Sequence, residues 1–381
     1  METISMSANW KWATPDVLSE VRGNVGFITL NRSKALNALS LAMVRSLYEI
    51  LQAWQADPAI QAVAIRGSNK EGVFGAFCAG GDIRFFHDQA EHGNPEIEDF
   101  FTEEYALNHL THFLGKPYIA FMDGIVMGGG MGISQGATDR ILTERTRMAM
   151  PETLIGLFPD VGGGYFLSRC PGHTGEWLAL AGDHILGADG IAIDLGDHFL
   201  NSSRQADVWQ ALGEQAFASG DAVRSWLQQQ MDATPAETEA FAAARAEAEK
   251  YFGADSFKAI VQKLEADTGS EWAQKCAAAL RKRSPLLLHV VFEQIRRGRH
   301  MTVAEDLRME RDLVRHCFFP QHMGRKMVSS EIIEGVRALV IDKDNNPQWN
   351  PPRIEDVTDE MVDAFYESPW PVSMHPLAFL K

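Results

Sequence analysis

Cysteine is scarce in this chain: four in 381 residues, at positions 78, 170, 276 and 317, with no C-x-x-C pair among them. Such spacing argues against a disulfide framework, and the four read as reduced thiols filling core positions in an intracellular protein. Long apolar runs are missing as well, and none approaches the roughly 20 residues that a membrane-spanning helix requires. Positive charge is in deficit, with 35 Lys and Arg against 51 Asp and Glu and a formal net charge of -16. Nucleic acids and anionic membranes select basic surfaces, so neither is expected as a partner. A small anionic ligand needs only a local basic patch and stays open. The opening "METISMSANWKWATPD" has neither the basic-then-apolar layout of a secretory signal nor the Arg content of a transit peptide, so a cytoplasmic protein is expected. Neither G-x-G-x-x-G nor G-x-x-x-x-G-K-[ST] occurs, which removes the familiar nucleotide cradles.

What is present is an ordinary globular composition, 45% hydrophobic and 23% charged, with enough length to bury a large core. The first half alternates strand-like and helix-like segments. "VLSEVRGNVGFITLN" reads as a hairpin turning at Arg22-Gly23-Asn24, and "LSLAMVRSLYEILQAW" follows with helical spacing. "AIQAVAIRG" reads as a buried strand, "IEDFFTEEYALNHLTHFL" as a helix, and "PYIAFMDGIVM" and "TDRILTE" as strands. This alternation predicts an α/β layout with largely parallel strands. From about residue 205 the pattern becomes helix-rich, which divides the chain into 1–205 and 206–381. Thr234 with Glu237 and Thr302 with Glu305 both have capping-box spacing, and Pro235 suits a first helical position. "RKRSP" (281–285) and "RRGRH" (296–300) form a basic zone, read first as solvated helix ends.

Three glycine clusters stand out: "FCAGGD" (77–82), "MGGGMG" (127–132) and "DVGGGY" (160–165). Tight turns explain them at minimum. A sharper reading is that glycine lets backbone N–H groups approach a ligand oxygen at the start of a helix. Gly132-Ile-Ser134-Gln-Gly136 matches the serine-hydrolase elbow, but the turn lies upstream at 128–130, which leaves Ser134 inside the next helix. His109 and His112 have i, i+3 spacing without an accompanying acid signature, so no metal site is expected.

The acids Glu152 and Asp160 lie among Met, Leu, Ile, Phe and Val in "MPETLIGLFPDVGGGYF". Desolvation raises carboxyl pKa values, and acids so tuned serve as general acid, general base or nucleophile. A cap at Glu152 and a turn at Asp160 are equally available on residue chemistry alone.

Together "NRSKALNALS", "FCAGGDIR", "PYIAFMDGIVMGGGMGIS" and "MPETLIGLFPDVGGGYFL", in this order, resemble the crotonase (enoyl-CoA hydratase/isomerase) family. The resemblance implies a spiral of β-β-α turns with a helix-rich C-terminal region. It also implies an acyl-CoA partner, no separate cofactor, and an oxyanion hole at the N–H groups of Ala79 and Gly129. Hydratases of the family use two glutamates; one falls here at Gly132 and is absent, the other matches Glu152. That loss, with Asp160 in place of a glycine and "EGVRALVIDKDNNPQW" near the C-terminus, is similar to the 3-hydroxyisobutyryl-CoA hydrolase branch. The resemblance then implies hydrolysis of a short β-hydroxyacyl-CoA by Glu152 and Asp160, with Glu104 contacting the substrate. Arg32, Lys34 and Arg84 are candidates for the CoA phosphates. Hydratase or isomerase activity and non-catalytic acyl-CoA binding are the alternatives, and homo-oligomerisation is left open.

Overall fold

The computed structural model describes residues 4–5 and 11–381; most of the segment read for a leader lies outside these. The chain folds into two compact units, each assembled from three separate stretches. One comprises Met1–Gly81, Ala106–Ala149 and His184–Thr238; the other comprises Asp82–Tyr105, Met150–Asp183 and Glu239–Lys381. Helices do dominate after residue 205, as expected, but compactness does not divide the chain there.

The first unit is built on a mixed sheet. The expected hairpin forms between Val17–Arg22 and Val25–Leu30, with Arg22 opposite Val25 and Gly23 in the left-handed region at φ +58°. Outward from Val25–Leu30 the strands Ala62–Asn69, Tyr118–Met122, Asp139–Leu142 and His198–Phe199 follow in parallel. Every residue of Tyr118–Met122 is buried, as parallel strands covered on both faces require. Helices pack onto the sheet through Trp209, Leu212, Val223 and Leu227, which join Phe27, Phe74 and Phe121 in one cluster.

"PYIAFMDGIVM" is two strands rather than one. Gly124, at φ +72°, breaks it, because a Cβ there would lie 2.2 Å from the Gly75 carbonyl oxygen. The second piece, Ile125–Met127, leaves the large sheet and pairs in parallel with Arg147–Ala149 in a small three-stranded one. This departure carries the glycine cluster 128–130 off the main sheet, where it opens the helix Gly129–Gln135.

The second unit is helical. Thr302 and Glu305 form the expected capping box at the start of Val303–Phe318. The one expected at Thr234 and Glu237 does not form, and the helix begins later, at Glu239. The end of the segment before it is anchored instead to Asp189, which accepts both the N–H (2.7 Å) and the hydroxyl (2.9 Å) of Thr238.

Candidate active site

In the second unit Glu104, Glu152 and Asp160 are all buried, at 2%, 7% and 6% exposure. Glu104 sits on the helix Glu96–His112, followed at once by Tyr105, whose hydroxyl donates to Asp160 Oδ2 at 2.9 Å. Glu152 opens the 3₁₀ turn Glu152–Ile155, which Gly156 closes at φ +70°. A Cβ on Gly156 would lie 2.4 Å from the Glu331 carbonyl oxygen, so the helix Glu331–Val336 packs directly on this turn. Arg283 braces it from another side, donating to Thr153 Oγ1 at 2.9 Å and to the Ala181 carbonyl. The solvated-helix-end reading of "RKRSP" fails at this residue: Arg283 is 6% exposed and structural. Elsewhere in the basic zone Arg281 pairs with Glu265 and Glu355, and Arg299 with Glu176.

Burial drives the protonation chemistry of this cluster. It lifts Glu104 well above the usual carboxylate range, and the charges of Asp160 and Glu152 add to the effect. Glu152 is raised for the same reasons, burial first and Asp160 second. Asp160 is pushed up to about 7 by burial, against the opposing pull of the Tyr105 hydroxyl and a backbone N–H. Among the described residues, Glu104 Oε1 and Glu152 Oε2 are buried with no hydrogen-bond partner. Buried polar atoms are nearly always satisfied, and two orphaned carboxyl oxygens within one acid cluster point to a ligand.

The first unit, taken by itself, holds free backbone donors at its glycine loops. Loop 77–81 pairs with the strand Ile125–Met127: the Cys78 N–H donates to Ile125 O at 2.9 Å, and Met127 N–H to Cys78 O at 2.9 Å. Backbone crowding here demands glycine, because a Cβ on Gly130 would sit 2.4 Å from Cys78 O. Gly130→Ala is therefore expected to destabilise the protein by about 1–3 kcal/mol, read from urea denaturation. Gly129 opens its helix with an N–H that no intrahelical carbonyl can take.

The other expected donor shifts position. The Ala79 N–H already donates to Leu36 O at 3.0 Å, which removes it as a donor to a ligand. Two residues on, the Gly81 N–H has no acceptor among the described residues. A Cβ on Gly80, between them, would lie 3.8 Å from the Gly129 nitrogen, so the two loops run side by side.

The remaining candidates separate cleanly. Ser134 is fully buried and donates back to Gly130 O at 2.8 Å, so it is not an exposed nucleophile. No group of three or more metal-ligating side chains occurs among the described residues, and His109 and His112 acquire no third ligand. Lys34 and Arg84 are exposed, while Arg32 is half-buried and donates to Ala38 O at 2.9 Å. Glu310 and Asp306, which hold the turn after Asp160, escaped the sequence reading. Their signal was legible: two acids at i, i+4 on the apolar stripe of Val303, Leu307, Leu313 and Cys317.

Comparison with known proteins gives this geometry a lineage. The family model described as enoyl-CoA hydratase/isomerase matches residues 25–366. The chain belongs to that family. The chain is similar to a 3-hydroxyisobutyryl-CoA hydrolase, mitochondrial, from Gallus gallus, 39% identical over 92% of this chain and 89% of the relative. A probable 3-hydroxyisobutyryl-CoA hydrolase 3 from Arabidopsis thaliana is 37% identical over 92% and 91%. Among family structures, a carnitinyl-CoA dehydratase from Mycobacterium thermoresistibile superposes with a TM-score of 0.82 at 32% identity, covering 95% of this chain and 98% of that one. An enoyl-CoA hydratase from Rhodobacter sphaeroides gives 0.81 at 32% identity over 93% and 98%. The chain thus has the crotonase fold, and the resemblance extends through the helical C-terminal region.

Proposed function

We propose that this family member hydrolyses a short β-hydroxyacyl-CoA thioester, with 3-hydroxyisobutyryl-CoA as the substrate. The observation that carries the reading is the acid set: Glu152 with an orphaned buried oxygen, Asp160 beside it in the same cluster, and glycine at 132. Hydration across a double bond calls for two acids in the family pattern, and one of them is missing.

In this reading the thioester carbonyl oxygen takes the N–H groups of Gly81 and Gly129, replacing the Ala79 and Gly129 pair expected from the sequence. Each such donor contributes about 2.7–4 kcal/mol to the transition state. Ionised Glu152 either attacks the carbonyl carbon, expelling CoA thiolate and leaving an anhydride that water opens, or removes a proton from the attacking water. Both routes yield the free acid and CoA. Asp160, raised to about 7, is suited to hold the proton that the departing thiolate takes. Glu104 accepts a hydrogen bond from the substrate's 3-hydroxyl through its orphaned oxygen. Arg32, Lys34 and Arg84 remain the proposed partners of the CoA phosphates.

The test is thiol release from 3-hydroxyisobutyryl-CoA, run beside hydration of an enoyl-CoA. Release of CoA without hydration supports the reading. The two similar structures are a dehydratase and a hydratase by name, and the outcome they would suggest, hydration without free thiol, would overturn it. Glu104→Ala is expected to cut kcat/KM for the 3-hydroxyacyl thioester by about twofold to tenfold while sparing the unsubstituted acyl thioester, since a hydrogen bond to a neutral group contributes about 0.5–1.5 kcal/mol. Among the described residues no helix is long and apolar enough to cross a membrane. We retain the cytoplasmic placement as a proposal against the mitochondrial one in the animal relatives' names; localising a tagged chain in its own cell decides it.

A further inference from the structure

Asp160 is followed by backbone that should not hold its shape unaided. Val161 lies at φ +57°, a left-handed conformation that is a real outlier for a β-branched residue, and Gly162 follows at φ +92°. The next residues open a helix of only five, Gly163–Leu167, whose first N–H groups have no partner within it.

Those N–H groups are all satisfied, and mostly from one place. Glu310 accepts from Gly162 N–H with Oε2 at 2.7 Å and from Gly164 N–H with Oε1 at 2.9 Å. Asp306, one helical turn earlier on Val303–Phe318, accepts from Tyr165 N–H with Oδ2 at 2.9 Å. Gly163 N–H returns to the Asp160 carbonyl at 2.8 Å. On the other side of Asp160, Gln294 donates both to the Pro159 carbonyl at 2.6 Å and to Glu310 Oε1 at 3.1 Å. Peptide groups before and after Asp160 are thus tied to the same carboxyl group. No slack remains: a Cβ on Gly164 would fall 2.2 Å from Asp306 Oδ1, and one on Gly298 would fall 2.3 Å from Gly164 O.

We propose that Glu310 is a positioning residue for Asp160: its carboxyl group clamps the strained turn that follows, and Asp306 completes the clamp. The chemistry explains why an acid stands here at all. Two N–H donors need two acceptor oxygens at fixed spacing, which a carboxylate supplies and an amide does not. Glutamine would offer one oxygen and turn its own NH₂ toward the second N–H. Burial disfavours ionisation of Glu310 and Asp306 alike, while the N–H groups of Gly162 and Gly164 favour the carboxylate form of Glu310 and that of Tyr165 favours the carboxylate form of Asp306. A role for the C-terminal region follows: it holds the residue that the proposed hydrolysis needs most accurately placed.

The experiment compares Glu310→Gln and Asp306→Asn with wild type, all as full-length protein, by hydrogen–deuterium exchange and by kinetics. Its kinetic arm rests on the hydrolase reading; its exchange arm does not. In Glu310→Gln, exchange in peptides spanning 160–167 is expected to rise about tenfold, the loss of one charge-assisted hydrogen bond, with other peptides unchanged. Asp306→Asn should loosen the same peptides less. In Glu310→Gln, kcat should fall about 10²-fold with KM little altered, as a small misplacement of a reacting group demands. Unchanged exchange at 160–167 in both variants overturns the proposal, and so does a uniform rise over the whole protein. Local loosening with wild-type kcat also overturns it, because the turn would then not matter to Asp160. If wild type releases no thiol from any acyl-CoA, the proposed function has failed, and the exchange arm still judges the clamp.

Discussion

Glu152→Gln is expected to fold normally, bind acyl-CoA, and release thiol at least about 10³-fold more slowly than wild type. The substitution preserves the shape of a side chain that is 7% exposed, so the turn Glu152–Ile155 should persist. It removes the one property the site needs, since an amide neither attacks a thioester nor takes a proton from water. Wild-type activity should also carry a signature in pH. Burial and the Asp160 charge raise Glu152 well above the ordinary carboxylate range. In the proposed mechanism only ionised Glu152 reacts, so kcat/KM should climb with pH along a limb placed higher than an exposed glutamate would give. Residual activity in the glutamine variant should lack that limb. A stopped-time thiol assay from pH 5 to 9, with isothermal titration to check binding, measures both effects; turnover near the wild-type rate in Glu152→Gln would sink the assignment.

Asp160→Asn should abolish activity yet stabilise the fold at neutral and alkaline pH. The Asp160 pKa is raised from 3.8 to about 7, so the folded protein binds this proton more tightly than the unfolded chain does. Well below pH 4 both states are protonated, and ionisation carries no stability difference. As pH rises toward about 7 the unfolded chain ionises freely while the folded one resists, so stability falls, and it levels off above that point. A rise of about three pKa units corresponds to about 4 kcal/mol, removed when the group cannot ionise. Asparagine keeps an oxygen for the Tyr105 hydroxyl, which limits the offsetting loss. The same change relieves Glu104 and Glu152, both of which Asp160 pushes upward. Chemical denaturation at pH 8 and at pH 4 gives the comparison: the variant should be the more stable at pH 8, with the gain vanishing near pH 4. A loss of stability at both would mean that Asp160 is held for structure rather than for chemistry.

Local pattern made much of this legible. A two-residue turn between alternating runs specifies the hairpin at Gly23, and Thr302 with Glu305 specifies a helix start, because both rest on contacts within a few residues. The same logic misled at Thr234, where Asp189, distant in sequence, takes Thr238 and delays the helix to Glu239. The compact units, for their part, draw on stretches that a linear reading cannot join.

For the candidate site, the sequence alone determined which residue types could act: Glu152 and Asp160 in apolar surroundings, a glycine-lined helix start at Gly129, and no acid at 132. The first two need only short windows of sequence, and the third takes its meaning from the family resemblance. Tertiary structure decided which groups are available. It committed the Ala79 N–H to Leu36 and left that of Gly81, placed Arg283 inside, and brought Glu310 and Asp306 to the turn after Asp160 from nearly 150 residues away. Availability of a donor or a proton depends on what the folded chain packs against it, and those partners are chosen by burial in three dimensions, not by neighbours in sequence.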